Sequence, residues 1–153
     1  MEGAQTMSLH KITSEIDSLE FRWNKIIFIV GFKEDEDRHF ASTLSIPYIN
    51  LNLQLSEKLQ NIPKSNIPLQ IGEILNEILN LYHDSIIWLG NIEILFDKQL
   101  QQHPVRLLEH LSKRFKLLVS WPGQFDGKSL IYATPDHPEY FKYSEFEGKI
   151  VTL

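Results

Sequence analysis

The chain has 153 residues, 42% of them apolar, which fits one domain with a proper core and leaves no case for disorder. Its 20 acidic and 15 basic residues give a net charge of −5, which argues against wrapping nucleic acid with a broad basic face. The absence of cysteine excludes disulfides, iron–sulfur clusters and cysteinyl zinc sites.

No apolar run approaches the ~18 residues of a membrane span, and the opening MEGAQTMSLHK has no apolar core of the secretory-signal kind. The expectation is a soluble cytoplasmic protein. Residues 1–7 are expected as a disordered lead, or Met7 as an alternative start, and residues 8–153 as a single domain. Leu9, Ile12, Ile16 and Leu19 recur at spacings near three and four, with Lys11, Ser14, Glu15 and Asp17 between them. This pattern predicts an amphipathic helix over about Ser8–Glu20, lying on the core by one stripe. Phe21 and Trp23 lead into the first strand. Arg22 and Trp23 read as packing residues, with cover for the edge of a nucleotide base as the alternative.

Ile26–Val30 is an apolar run rich in β-branched residues, the pattern of a strand buried on both faces in a parallel sheet. It stops at Gly31. A charged loop follows, and a short helix is expected through His39, Phe40 and Leu44. Strand, glycine, loop and helix is the layout of a phosphate-binding P-loop, G-x-x-x-x-G-K-S/T. There the second glycine lets backbone N–H groups face phosphate, the lysine reaches the β- and γ-phosphates, and the hydroxyl holds magnesium. Counted from Gly31, the second glycine falls on Glu36, the lysine on Asp37 and the hydroxyl on Arg38. A unit charge ~4 Å from another is worth ~4 kcal/mol at an effective dielectric of ~20, so a reversed sign swings phosphate binding by ~8 kcal/mol. That is about the whole binding energy of a micromolar ligand. Lys33 and Arg38 are outnumbered by Glu34, Asp35, Glu36 and Asp37. The stretch keeps the strand and turn of a P-loop and lacks its chemistry. The plainer alternative is a core strand ended by a glycine.

Ile46–Asn50 reads as a short strand, Gln54–Leu59 as a helical turn or two, and NIPKSN (Asn61–Asn66) as a turn-rich linker. Ile71, Ile74, Leu75, Ile78, Leu79 and Tyr82 form one wide apolar stripe, which predicts a helix over Ile67–Tyr82 with Pro68 in its first turn. Ser85–Leu89 is a second central strand. In P-loop ATPases the corresponding strand ends on a magnesium-binding aspartate, often followed by a water-activating glutamate. Gly90 and Asn91 occupy those positions here. Glu93, two residues late, reads as a surface or cap carboxylate.

Pro104 opens a further helix, through about Arg114, with Val105, Leu107, Leu108 and Leu111 on its apolar side. His103, Arg106, His110 and Lys113 share another side and form a basic stripe. It could touch phosphate or an acidic partner, although a solvated helix face is the commoner meaning. His103 and His110 lack the i, i+4 spacing of metal ligands. Lys116–Trp121 is a third central strand. The connection to Leu130–Thr134 is too short for a parallel crossover. That segment is therefore expected to run antiparallel to the preceding strand, pairing with it or stepping across one strand to join the sheet beyond it. Lys149–Leu153 reads as a last edge strand. The bottom-up reading is a three-layer α/β domain with a disabled P-loop.

Four phrases carry a further signal: INLNLQLSEKL (Ile49–Leu59), IIWLGNIEILFD (Ile86–Asp97), HPVRLLEHLS (His103–Ser112) and VSWPGQFDGKSLIYATPDHPEY (Val119–Tyr140). Together they resemble BrxF, the small P-loop-containing protein of type 3 BREX, a bacterial phage-defence system. The likeness runs from about Trp23 to Tyr140, and NIEILF and Tyr132–Tyr140 are its specific parts. The resemblance implies an additional-strand (ASCE/AAA-like) P-loop NTPase core, with a mainly parallel sheet and an antiparallel C-terminal strand. It also implies a defence operon that restricts phage DNA while sparing methylated self DNA. The family name implies nucleotide binding through a glycine-rich loop and a Walker B aspartate, and this chain departs from both, at Glu36–Arg38 and at Gly90.

The leading expectation is a non-catalytic interaction subunit, a pseudo-ATPase with no cofactor. It would hold or regulate other BREX proteins such as the ATPase, methyltransferase or phosphatase-like components, with its crevice closed by its own acidic loop. Residues not assigned to the core are the candidate contacts: Asn91, Glu93, Trp121, Phe125, His137, Glu139 and Tyr140, with Arg106, His110 and Lys113 from the basic stripe. For the HPEY segment, a tail packed on the sheet edge is the competing reading. A second hypothesis is an ATP- and magnesium-dependent switch in which Lys33 and Glu93 replace the missing groups. A third is an accessory DNA-contacting subunit that uses the His103–Lys113 stripe. Its affinity would fall steeply with salt.

Overall fold

The computed structural model describes residues 2–153. The first half of the chain forms α1 (Glu2–Ile16), β1 (Ile26–Val30), α2 (Glu36–Thr43), β2 (Tyr48–Asn50), α3 (Leu51–Leu59) and α4 (Ile67–Asn80). The second half forms β3 (Ile86–Gly90), α5 (Pro104–Leu111), β4 (Lys116–Ser120), β5 (Gln124–Phe125), β6 (Leu130–Tyr132), β7 (Phe141–Tyr143) and β8 (Lys149–Thr152). All five residues of β1 are buried, because its alternating side chains serve two cores. Ile26, Phe28 and Val30 join a cluster with residues of α3, α4 and α5, while Ile27 and Ile29 join Ile12 of α1 and Phe40 and Ala41 of α2. Helices thus flank both faces of the sheet, as the three-layer α/β reading requires. Among the described residues no helix is long and apolar enough to cross a membrane.

The main sheet has the order β2-β3-β4-β1-β8, and each of its four pairings is parallel. The expected edge strand at Lys149 is present as β8, beside β1, with Ile27 opposite Lys149 and Val30 opposite Thr152. The expected antiparallel strand is corrected. Leu130–Tyr132 does not join the main sheet but forms the centre of a separate antiparallel sheet, β5-β6-β7. The connection from β4 to β6 is indeed too short for a parallel crossover. The whole excursion from Trp121 to Gly148 is long enough to bring β8 back parallel.

Other boundaries shift for local reasons. The first helix starts ahead of Ser8 and ends at Ile16, and Leu19 is buried from a separate 3₁₀ turn, Leu19–Phe21. Met1, part of the expected lead, lies outside the described residues. α3 begins directly after β2 because Asn50 caps it: Asn50 Oδ1 accepts the N–H of Leu53 at 3.1 Å. Trp23 is a second correction. It is 77% exposed, so it packs on nothing substantial, and it precedes β1 at the opposite end from the strands' carboxyl termini. It therefore covers no ligand at the carboxyl ends.

Candidate functional site

In open parallel sheets ligands sit outside the carboxyl ends of the strands. A cavity of about 270 Å³ occupies that place, between the loop after β1, the residues after β3 and the end of β4. Four carboxylates line it, from Glu34, Asp35, Asp37 and Glu93, against one cation, Lys33. The chain makes its turn here with positive φ at Gly31 (109°) and Asp35 (60°). A side chain at Gly31 would press on Leu153, 3.4 Å from its Cβ.

Three amides of the loop and of the first turn of α2 are already engaged. The Lys33 N–H donates to Glu36 Oε1 at 3.3 Å, the Glu36 N–H to the Lys33 carbonyl at 3.1 Å, and the Arg38 N–H to Asp37 Oδ1 at 2.9 Å. Asp37 stands at the lysine position of the motif and is 9% exposed. Its Oδ2 accepts Ser120 Oγ at 2.7 Å and Tyr48 Oη at 2.9 Å. Ser120 in turn accepts Trp88 Nε1 at 2.8 Å. Tyr48 also lies 3.2 Å from Asn91 Oδ1, but one hydroxyl proton serves one acceptor at a time, and Asp37 is nearer. Burial, and then the negative charge of Asp37, push the Tyr48 hydroxyl well above its ordinary pKa, so it remains a donor. The Arg38 guanidinium lies 5.3 Å from the Tyr48 ring centre.

Gly90, where a magnesium-binding aspartate was sought, belongs to the same arrangement. A Cβ there would fall 1.7 Å from Tyr48 Oη. A side chain at 90 and the Tyr48–Asp37 hydrogen bond are thus mutually exclusive unless Tyr48 moves. Asn91 is exposed with φ 52°, and its carbonyl accepts the Asn52 N–H at 3.0 Å. Among the described residues no three His, Asp or Glu side chains are grouped to hold a metal.

No family model, curated protein or solved structure matches this chain. Its site is therefore read from its own geometry.

The remaining candidate residues are dispersed. Trp121 is corrected from a contact residue to a core residue: it is 4% exposed, stands edge-on to Phe28 and Phe96, and donates Nε1 to the Ile131 carbonyl at 3.0 Å. Phe125 is half-buried against Phe146. His137, Glu139 and Tyr140 belong to the turn between β6 and β7, not to a tail on the main sheet's edge. There His137 Nδ1 accepts the Glu139 N–H at 3.0 Å. His137 and Tyr140 are exposed and Glu139 partly so.

The basic stripe divides. His103 caps α5, its Nδ1 accepting the Arg106 N–H at 3.1 Å, and its ring stands edge-on to Phe141 and Tyr143. Burial, and then Arg106, lower its pKa. Arg106, His110 and Lys113 line a second cavity together with Glu109, Glu145 and Glu147. The stripe is therefore not a continuous basic face. Glu109 is buried, and burial raises its pKa although the Gly148 and Glu147 N–H groups oppose the shift.

Sequence reasoning missed Tyr48, Ser120 and Glu109. A signal existed for each: Tyr48 and Ser120 are the polar ends of β2 and β4, and Glu109 lies four residues after Val105 on the helix's apolar side.

Proposed function

We propose that this chain is a non-catalytic, BrxF-like subunit of a type 3 BREX phage-defence system. It is a degenerate P-loop domain that holds or regulates other BREX proteins and does not turn over nucleotide. The observation that carries this reading is the seat of Asp37. At the position where a P-loop lysine would meet phosphate, a buried carboxylate accepts three hydrogen bonds and puts negative charge on the wall of the crevice. The carboxylate takes one N–H of the first turn of α2 and two side-chain hydroxyls, so its charge is satisfied by the protein without a ligand.

The fold supports the P-loop part of the reading. β4 lies between β1 and β3, the extra-strand order for which the additional-strand class is named. Exposed Asn91 and partly exposed Glu93 at the crevice, with His137, Tyr140 and the partly exposed Glu139 of the β6–β7 turn, are the contacts this function would use.

Co-expression with the other type 3 BREX proteins tests the proposal. The tagged chain is expected to purify with at least one of them, to the same extent with and without Mg-ATP. Deletion is expected to abolish phage restriction, and the unmodified chain to restore it. Failure to co-purify together with undiminished restriction would overturn the assignment. A complex that forms only with nucleotide would overturn the non-catalytic part.

A further inference from the structure

The amino end of the sheet, opposite the acidic crevice, carries charge of the other sign. The approach to β1, Phe21–Lys25, and the turn into β4, Ser112–Lys116, run side by side. The Lys25 N–H donates to the Ser112 carbonyl at 3.1 Å, and the Leu117 N–H to the Lys25 carbonyl at 2.8 Å. These two segments, FRWNK and SKRFK, hold five cations and no acid, in a chain whose net charge is −5. Two of the cations are paired, Arg22 with Glu15 at 3.8 Å and Lys116 with Glu20 at 2.6 Å. Lys25, Lys113 and Arg114 make no ion pair within 4.0 Å among the described residues. Glu147 is engaged by Asn24 Nδ2, and Glu145 lines the second cavity with Lys113 without pairing with it.

The first segment also leaves two large aromatic side chains in solvent. Phe21 is 90% exposed and Trp23 77%. Arg22 between them has extended backbone (φ −101°, ψ 146°). Their Cα atoms are therefore about 7 Å apart, roughly two rises of a stacked nucleic-acid strand. Arg114 donates to Asn76 Oδ1 at 3.3 Å and to Asn80 Oδ1 at 3.5 Å, which carries the patch to the end of α4, beside exposed Leu81 and Tyr82. Single exposed apolar residues need no explanation, but aromatic rings grouped with unpaired cations mark a binding surface.

We propose that this face binds a short stretch of single-stranded nucleic acid. Bases stack on Phe21 and Trp23, and phosphates meet Lys25, Lys113 and Arg114. Stacking of this kind is tolerant of sequence, because every base has a π-face. A duplex hides its base faces, and an acidic peptide supplies charge without stacked bases, so neither uses both halves of the patch. The patch is narrow, in keeping with a chain too acidic to wrap nucleic acid with a broad face. The acidic crevice at the other end of the sheet takes no part.

The test is titration of the full chain with oligo(dT) and oligo(rU) of about twelve nucleotides, read by tryptophan fluorescence and by anisotropy of a labelled strand. Trp88 and Trp121 are buried, so quenching by stacked bases reports Trp23. Both strands are expected to bind saturably, with Kd of about 10⁻⁶–10⁻⁴ M, and the tighter of the two identifies the source as DNA or RNA. Trp23→Ala and Phe21→Ala are each expected to weaken binding at least about fivefold, the value of one base stacked on an aromatic ring. Lys113→Ala is expected to lower the slope of log affinity against log salt by about 0.7, one phosphate contact on a single strand. All three residues are exposed, so the variants keep the fold. No saturable binding in low salt would overturn the proposal. So would unchanged affinity in both aromatic variants. Equal quenching by polyglutamate or by phosphatidylserine vesicles would also overturn it, and would mark the face as a general anion surface or a membrane contact.

Discussion

Replacing Asp37 by alanine separates a structural carboxylate from a functional one. The side chain is almost wholly buried and accepts from the Arg38 N–H, Ser120 Oγ and Tyr48 Oη. Each hydrogen bond to a charged group is worth about 1.5–3 kcal/mol. One of the hydroxyl donors has a substitute, since Tyr48 can turn to Asn91 Oδ1, already 3.2 Å away, whereas the Ser120 O–H loses its acceptor, its bond with Trp88 using Ser120 Oγ to accept. The Arg38 N–H lies in the first turn of α2, where water can replace a lost cap. The net cost of Asp37→Ala is therefore about 2–4 kcal/mol, below the roughly 4.5–9 kcal/mol of the three bonds summed, because Tyr48 and the Arg38 N–H find other acceptors. In thermal unfolding that is a fall of roughly 5–15 °C for a domain of this size. Urea unfolding followed by tryptophan fluorescence is a suitable assay, because Trp88 donates to Ser120 next to the site. A carboxylate kept for catalysis or for ligand exchange behaves differently, since relieving its charge commonly raises stability. A variant as stable as the parent, or more so, would refute the claim that Asp37 is held at the crevice wall for structural reasons.

Three further outcomes follow from neighbouring contacts. Gly90→Ala places its Cβ 1.7 Å from Tyr48 Oη and is expected to cost about 1–3 kcal/mol. Combined with Tyr48→Ala it should cost less than the two changes summed, and strict additivity in a double-mutant cycle would show that the residues do not compete for space. Trp121→Ala removes a core side chain and should destabilise by about 3–5 kcal/mol, whereas exposed Trp23→Ala should stay within about 0.5 kcal/mol. Comparable losses in denaturant melts would contradict the placement of both. His103 must have a neutral Nδ1 to cap α5, and its folded pKa lies below its ordinary 6.5. The stability it contributes is complete above pH 6.5 and is lost as pH falls through the lowered folded value. His103→Asn keeps a cap worth about 1 kcal/mol without the titration. Its stability relative to the parent should therefore rise on acidification, and parallel pH–stability curves would exclude the cap.

The central strands were legible because a strand buried on both faces must be apolar throughout. Ile26–Val30, Ile86–Leu89 and Leu117–Val119 are each such runs. The absence of the P-loop motif's lysine and of a strand-end aspartate was equally legible, because Asp37 and Gly90 are read directly from the sequence. What fills the crevice was not. Tyr48 and Ser120 lie 11 and 83 residues from Asp37 along the chain, and neither has a local pattern that pairs it with a carboxylate. The small sheet escaped for a similar reason. Gln124–Phe125 is too short to show alternation, and its partners across β6 are set by long-range packing on Phe96 and Trp121. Trp121 and Trp23 flank strands, just past the end of β4 and ahead of β1, where no periodicity shows which way an aromatic side chain faces.

The exclusion of nucleotide from the crevice is tested most directly by calorimetric titration of the unmodified full chain with Mg-ATP and with Mg-GTP. The expected result is no binding heat from either nucleotide at millimolar concentration, because Asp37, Glu34, Asp35 and Glu93 hold negative charge where phosphate would lie. Saturable micromolar binding of either nucleotide would contradict the account, and would mean that the loop from Gly31 to Arg38 opens to cradle phosphate in spite of its charge.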